Sequence, residues 1–402
     1  MGKSVRILLV SDLHAIDDPK ALRSSVAINY AQMGAPRALF NQCLTTVRER
    51  FPEGLDLMVV AGDMTDRAGG IALSKVWGDL HWLAEQLCIP LVATSGNHDY
   101  DSRATQSVSP KQSLMGLNPP FPFGTTADRD HYFAQEHAVF VNDELVVVTA
   151  NSSAFHGYIP KGQKESEHGR FADYLPEYIK TSLDSLDSLA PYKILLTHHH
   201  LNQLPSFDTE ETSSSRGHEQ VLRALADYGD WLIIHGHKHR GWLQYASGYG
   251  DAPPLISSSS FSADLGTSSF ADKVRHQFHV VELEPSSKAA PGLGGQFGSV
   301  YSWTHSPIGW TEAIASDDLP GVSGFGWKAN IHQFAASVRI EVSKKLLMDE
   351  ADLEKFEPRL KYLTFDDRRR LINYLRTGSP KVEVSTHTNG SIREFALTKA
   401  TV

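Results

Sequence analysis

Only two cysteines, Cys43 and Cys88, occur in 402 residues, and both fall in stretches with helical spacing, so neither a disulfide framework nor a cysteine-based metal site is expected. The chain also lacks an apolar run near the roughly 18 residues that a membrane span needs, and no transmembrane helix is expected. Met1-Gly2-Lys3-Ser4 leads into the short run Arg6-Ile7-Leu8-Leu9-Val10, too short for a signal-peptide core, which argues against export and for a reducing, cytoplasmic setting. Positive charge is in deficit as well: 38 Lys and Arg stand against 47 Asp and Glu, a formal charge of -9, with no obvious basic stripe. Duplex nucleic acid is therefore a disfavoured partner, because such affinity comes mainly from Lys and Arg displacing counterions. With 41% hydrophobic and 21% charged residues, the expectation that remains is a compact soluble enzyme.

Short β-branched or leucine-rich runs alternate with stretches of helical spacing, the pattern of layered α/β architecture. Strands are predicted at about 5–10, 57–61, 90–94, 145–150, 193–197 and 231–235, with further strands over 253–260 and 274–283. Helices are predicted at about 36–50, 71–87, 171–188 and 216–228. The residues just past each strand are more informative than the strands themselves. Ser-Asp-Leu-His comes after Val10, Gly-Asp-Met-Thr-Asp after Ala61, and Ser-Gly-Asn-His-Asp after Thr94. Three histidines come after Thr197, and His235-Gly-His-Lys-His after Ile234. Polar, ligand-type residues thus gather at the carboxyl ends of strands, where open α/β sheets place their sites.

Divalent ions of hard or borderline character take carboxylate oxygen and imidazole nitrogen, and Asp12 with His14 supplies one of each from a single loop. Asp63, preceded by Gly62, is a carboxylate able to bridge two ions, and Asn97 offers a neutral amide oxygen. His98 and Asp99 form a potential acid and its orienting carboxylate, while His198, His237 and His239 complete a mixed nitrogen and oxygen set. Each motif alone is also ordinary turn chemistry; their joint occurrence, each at the end of an apolar strand, is what points to a site for two metals.

In this series (Asp12-Leu-His14, Gly62-Asp63, Gly96-Asn97-His98-Asp99, the His198 strand end and Gly236-His237-Lys238-His239) the chain resembles the calcineurin-like metallophosphoesterase superfamily over about residues 5–285. The resemblance implies a four-layer αββα sandwich, with residues 1–285 forming the phosphoesterase domain and 286–402 an α+β extension of unknown role. It also implies that Asp12, His14 and His239 hold a first metal and Asn97, His198 and His237 a second, with Asp63 between them. His98, with Asp99 behind it, would contact the phosphate and protonate the leaving oxygen. One motif departs from the family pattern: many relatives carry a Pro shortly after the histidine, where this chain has His198-His199-His200-Leu201. His198 is taken as the ligand because it comes first after the apolar run, and His199 and His200 as pocket-wall residues.

Other polar residues read more plainly. His235 is expected to be a strand residue with a satisfied hydrogen bond; His156 and His168 lie in a long polar stretch where substrate contact is an alternative; Arg170 and Arg240 are expected at the surface, with phosphate contact or a carboxylate partner as the alternatives. Tyr100 and Asp101 adjoin the site by sequence, with no role fixed. The tail carries Trp303, Trp310 and Trp327, a predicted helix at 364–376 and a predicted hairpin turning at Asn389-Gly390, after a Pro-, Gly- and Ser-rich stretch at 284–295.

A pair of divalent ions would bring the pKa of a bridging water to about 7 and so supply a hydroxide at neutral pH. Two such cations, the Asp12 and Asp63 carboxylates and one hydroxide sum to a single positive charge, which balances a phosphodiester. The first expectation is accordingly a phosphodiesterase acting on a small nucleotide or cyclic nucleotide, with manganese as the leading metal and iron, zinc, nickel or cobalt permitted by the same ligands. The alternatives are a phosphoprotein or monoester phosphatase, a nuclease, or a non-enzymatic metal-binding scaffold whose extension docks a protein partner.

Overall fold

The computed structural model describes residues 2–20, 28–31, 37–102, 108–158, 168–202, 214–246, 252–263 and 275–398. Pro36 and Val274, the first residues of one predicted helix and one predicted strand, lie outside them. Two mixed sheets face one another. The first runs β12 (Gly309–Glu312), β11 (Leu293–Ser306), β10 (Gln277–Leu283), β1 (Val5–Val10), β2 (Leu57–Val60), β3 (Leu91–Ala93), with β13 (Val322–Trp327) also on β11. The second runs β4 (His137–Val141), β5 (Leu145–Ala150), β6 (Tyr192–Leu196), β7 (Leu232–His235), β9 (Pro254–Ser257), β8 (Trp242–Tyr245).

Alternation along each strand builds the layers. In β1, Val5, Ile7 and Leu9 point into the core between the sheets, while Leu8 and Val10 point outward against α1 (Arg37–Arg50) and α2 (Gly70–Leu87). In β5, Leu145 and Val147 meet the first sheet, and Val146 and Val148 meet α5 (Leu175–Asp184) and α6 (His218–Ala226). Each such fully buried side chain contributes about 1.5–3 kcal/mol of transfer free energy. The result is a four-layer αββα sandwich. The short helices α3 (Gln112–Met115) and α4 (Thr126–Gln135) close one edge of the outer core. No helix among the described residues is long and apolar enough to cross a membrane.

Strands β1, β2 and β3 are mutually parallel, as are β5, β6, β7 and β9, so their carboxyl ends open on one rim. The sheet does not stop at residue 285. Strand β11 pairs with β10 over seven residue pairs, from Gln277↔Thr304 to Leu283↔Gly298, and Val300, Leu319 and Phe325 enter the core between the sheets. Beyond Trp327 the extension has a core of its own. Helices α7 (Ile331–Lys345), α8 (Glu350–Phe356) and α9 (Phe365–Thr377) pack with a small antiparallel sheet, β14 (Leu347–Met348), β16 (Ile392–Leu397) and β15 (Val382–Thr386), around Phe334, Val338, Leu371 and Phe395.

Candidate metal centre

Five loops at that rim bring the sequence-selected residues together. Asp12 and His14 follow β1, Asp63 follows β2, Asn97 and His98 sit in a 3-10 turn after β3, His198 follows β6, and His237 and His239 follow β7. Ordinary extended loops could not aim so many side chains at one point. Asp12, His14, Asp63, His237 and His239 all adopt positive φ, between 46° and 81°, a region that costs a non-glycine residue of order 1–3 kcal/mol and clusters at functional sites. Glycines let the loops interlock: a Cβ on Gly96 would collide with the Asp63 carboxylate, and one on Gly236 with Ser11 Oγ and Asp12 Oδ2.

The donors form two sets joined by one carboxylate. Donor atoms of Asp12, His14, Asp63 and His239 lie within 4.8 Å of one another. Within that set His14 Nε2 is 3.0 Å from His239 Nε2 and 3.5 Å from Asp63 Oδ2, and His239 Nε2 is 3.4 Å from Asp12 Oδ1. In the other set Asn97 Oδ1 lies 3.2 Å from His198 Nε2 and 3.1 Å from His237 Nδ1. His198 Nε2 is also 3.2 Å from Asp63 Oδ2, so the same carboxylate oxygen faces both sets. Asp63 Oδ1 is held by the His98 backbone N–H at 2.8 Å.

These residues fit a pair of divalent cations. Burial pushes the His14 imidazole down to about 4 and drives His239 well below the usual range, so both rings are neutral and each can offer a nitrogen lone pair to a cation. His198 donates from Nδ1 to the Ala61 carbonyl at 2.8 Å, which fixes its tautomer and turns Nε2 inward. Burial opposes a proton on that ring, yet Asp63 holds it up to about 9; cation and proton compete for one nitrogen. Burial likewise works to raise the Asp63 carboxyl, but His198, His98 and His14 together hold it well below the carboxylate range.

The structure corrects one expectation. Asp99 does not stand behind His98: its carboxylate accepts from the Thr65 N–H at 3.0 Å and the Gly96 N–H at 2.9 Å and ties the loop after β2 to the loop after β3. The partner of His98 is Asp66, whose Oδ1 accepts from Nδ1 at 3.1 Å. Burial opposes charge on His98, but Asp63 and Asp66 outweigh it and hold the imidazole up to about 9. Asp66 was legible as the second carboxylate of Gly62-Asp63-Met64-Thr65-Asp66, three residues past Asp63.

The remaining polar residues sort clearly. His199 is fully buried, with Nδ1 at 2.9 Å from Ser152 Oγ and its ring 4.4 Å from that of His237, so its donor atoms reach the second set. His200 stacks on His237 at 5.7 Å, and His156 stacks on His199 at 5.2 Å. His235 is a buried strand residue donating to the Gly236 carbonyl at 3.0 Å. The half-buried His168 precedes Gly169, where a Cβ would strike the His199 ring. Tyr100 is a buried brace, its hydroxyl accepting from Asn151 Nδ2 at 2.8 Å, and Asp101 is buried beside it. Arg170 lies exposed over the Phe155 ring, whereas Arg240 is paired with Asp318 at 2.5 Å.

Residues 5–241 match the family described as calcineurin-like phosphoesterase. Among solved structures, a dimetal phosphatase from Danio rerio is similar at 12% identity and a TM-score of 0.45, over 69% of this chain and 94% of its own. A purple acid phosphatase from yellow lupin is similar at 14% identity and a TM-score of 0.44, over 78% of this chain and 53% of its own. No curated protein matches the chain.

Proposed function

Since the chain belongs to the calcineurin-like phosphoesterase family, we propose that it is a dinuclear metal-dependent phosphodiesterase acting on a small nucleotide-type diester. The observation that carries this reading is the meeting of two donor sets on the Asp63 carboxylate. Asp12, His14 and His239 would hold one divalent ion and Asn97, His198 and His237 the other. Such a pair supplies Lewis acidity toward phosphoryl oxygens and a nucleophilic water at neutral pH. Manganese is the ion to load first.

The chain's own residues account for the rest. His98, its side chain 39% exposed, is reachable by substrate and carries a proton that Asp63 and Asp66 favour. With Nδ1 donating to Asp66, its Nε2–H is the proton available to the leaving oxygen. A monoanionic substrate is favoured by the pairing of Arg240, next to His239, with Asp318 at 2.5 Å, which offsets the charge of that guanidinium. A nucleobase is supported by Phe155 and Tyr158, 42% and 56% exposed on the loop whose His156 stacks against His199. Two free cysteines, Cys43 buried and Cys88 exposed, fit a reducing compartment such as the cytoplasm.

The test is hydrolysis of bis-p-nitrophenyl phosphate beside p-nitrophenyl phosphate by metal-stripped protein resupplied with manganese. Diester cleavage that exceeds monoester cleavage and vanishes in Asp63→Ala is the expected result. A preference for the monoester would make the protein a phosphatase instead.

A further inference from the structure

The residue after the metal-site His239 is tied to the extension. Arg240 pairs with Asp318 at 2.5 Å, the two side chains only 18% and 7% exposed. Asp318 lies between β12 and β13, outside the residues 5–241 that match the phosphoesterase family. The segment that carries it is itself firmly held. The Leu319 N–H donates to Gln277 Oε1 at 3.3 Å, and Gln277 Nε2 donates back to the Leu319 carbonyl at 2.8 Å. From the hairpin turn between β15 and β16, the Thr388 and Asn389 carbonyls accept from the Ala315 and Val322 N–H groups at 2.8 and 3.1 Å. The loop after β7 is pressed against the same segment: a Cβ on Gly241 would lie 2.5 Å from Ser259 Oγ, 2.9 Å from Gln277 Oε1 and 3.1 Å from Leu319 Cγ. Asp318 is therefore a fixed post for the guanidinium of Arg240.

His239 needs such a post. Its φ is 58°, and a non-glycine residue stays in that region only where its surroundings over-determine it. The ring receives little help of its own: Nδ1 has no hydrogen-bond partner among the described residues, whereas His198 is turned inward by the bond from its Nδ1 to the Ala61 carbonyl. Apart from contact with His14, the placement of the His239 ring falls to the backbone on either side. Upstream, the His237 N–H is anchored on Asp12. Downstream, the anchors are Arg240's carbonyl, which accepts from Ser257 Oγ at 2.9 Å, and its guanidinium, held by Asp318. Removing one partner of a largely buried ion pair leaves an uncompensated charge, so without Asp318 the Arg240 side chain would turn toward water and release that anchor. Building on the two-ion reading of the centre, on which this rests, we propose that Asp318 is a positioning residue for the first metal: through Arg240, the extension fixes His239 on the ion it shares with Asp12 and His14.

Manganese titration of the metal-stripped, full-length chain tests it. In Asp318→Asn one of the two ions should bind about tenfold or more weaker, with the other unchanged, and half-filled protein should give an uncoupled single-ion paramagnetic resonance signal. Asp317→Asn is the control for a merely structural role. Asp317 holds the same segment, accepting from Thr304 Oγ1 at 2.9 Å and the Ile314 N–H at 3.0 Å, and its loss should lower the melting temperature while leaving both affinities in place. Arg240→Gln should copy Asp318→Asn, and combining the two should add nothing, because both break one pair. Unchanged affinities in Asp318→Asn, an equal loss in Asp317→Asn, or additive losses in the double variant would each overturn the proposal while the wild type still binds two ions. A wild type that binds no pair of ions would overturn the two-ion reading as well.

Discussion

The Nδ1–H of His98 rests on Asp66, from the loop after β2, while Asp99 is turned into the backbone of two loops. Asp66→Asn should lower kcat by about tenfold or more, because His98 loses both its tautomer lock and a charge that favours its proton. The sign comes from that second loss: the His98 pKa drops, so the alkaline limb of the pH–rate profile moves to lower pH. Asp99→Asn should leave that limb in place and instead reduce thermal stability, since a buried acceptor of two backbone N–H groups is compromised. Matched pH profiles and melting curves of the two variants check both statements. Sequence adjacency favoured the wrong carboxylate here because consecutive residues in a tight turn point in different directions, so the neighbour of His98 in the chain is not its neighbour in space.

At the scale of elements, the loops after β1 and β7 act as one unit. The His237 N–H reaches both Asp12 oxygens at 3.1 Å, and Gly236 lies where any side chain would strike Asp12. Gly236→Ala is expected to weaken metal binding by about tenfold or more while leaving the secondary structure intact, as measured by metal titration alongside circular dichroism. The strands that carry the site were legible because each apolar run ends in a ligand-type residue, a signal local to a few positions. Strands β11 and β13 were not. Gly294 and Gly295, ending the Pro-, Gly- and Ser-rich stretch, suggested a loop, whereas β11 runs through them with a register shift between Leu293 and Gly298, and Gly298 is needed because a Cβ would strike the Glu282 carbonyl. Likewise Gly324 of β13 lies against the Lys361 carbonyl. Glycine used for close backbone approach is indistinguishable in sequence from glycine used for a turn. Helix α7 was hidden for a related reason: its apolar stripe of Ile331, Phe334, Ala335, Val338 and Val342 meets a core that only the distant α9 and β16 complete.

For the whole molecule, the sheet that crosses residue 285 governs where the chain can be cut. A chain ending at Pro285 loses β11 to β13 together with Val300, Leu319 and Phe325 from the core between the sheets, and is expected to be insoluble. One ending at Lys328 keeps those strands, loses only Phe365 from that core, and should remain folded with a lower melting temperature; expression followed by calorimetry distinguishes them. Acid stability is set in part by buried neutral imidazoles. Burial pushes His279 down to about 3 and His137 down to about 4, while an unfolded imidazole titrates at about 6.5. Below about pH 6.5 the unfolded chain therefore takes up protons that the native chain refuses. Stability is full above that pH and declines toward pH 4, by roughly 1.4 kcal/mol per pH unit for each group. Urea midpoints across this window should show a shallower slope in His137→Gln, whose side chain replaces a ring bonded to Ser182 Oγ at 2.9 Å.

Two ions sharing Asp63 is the claim on which the catalytic reading rests, and manganese titration of metal-stripped protein followed by electron paramagnetic resonance tests it most directly. Two manganese ions per chain with an exchange-coupled signal, and loss of that coupling in Asp63→Ala, are the predicted results. A single uncoupled ion per chain, or a coupled signal that survives Asp63→Ala, would contradict it.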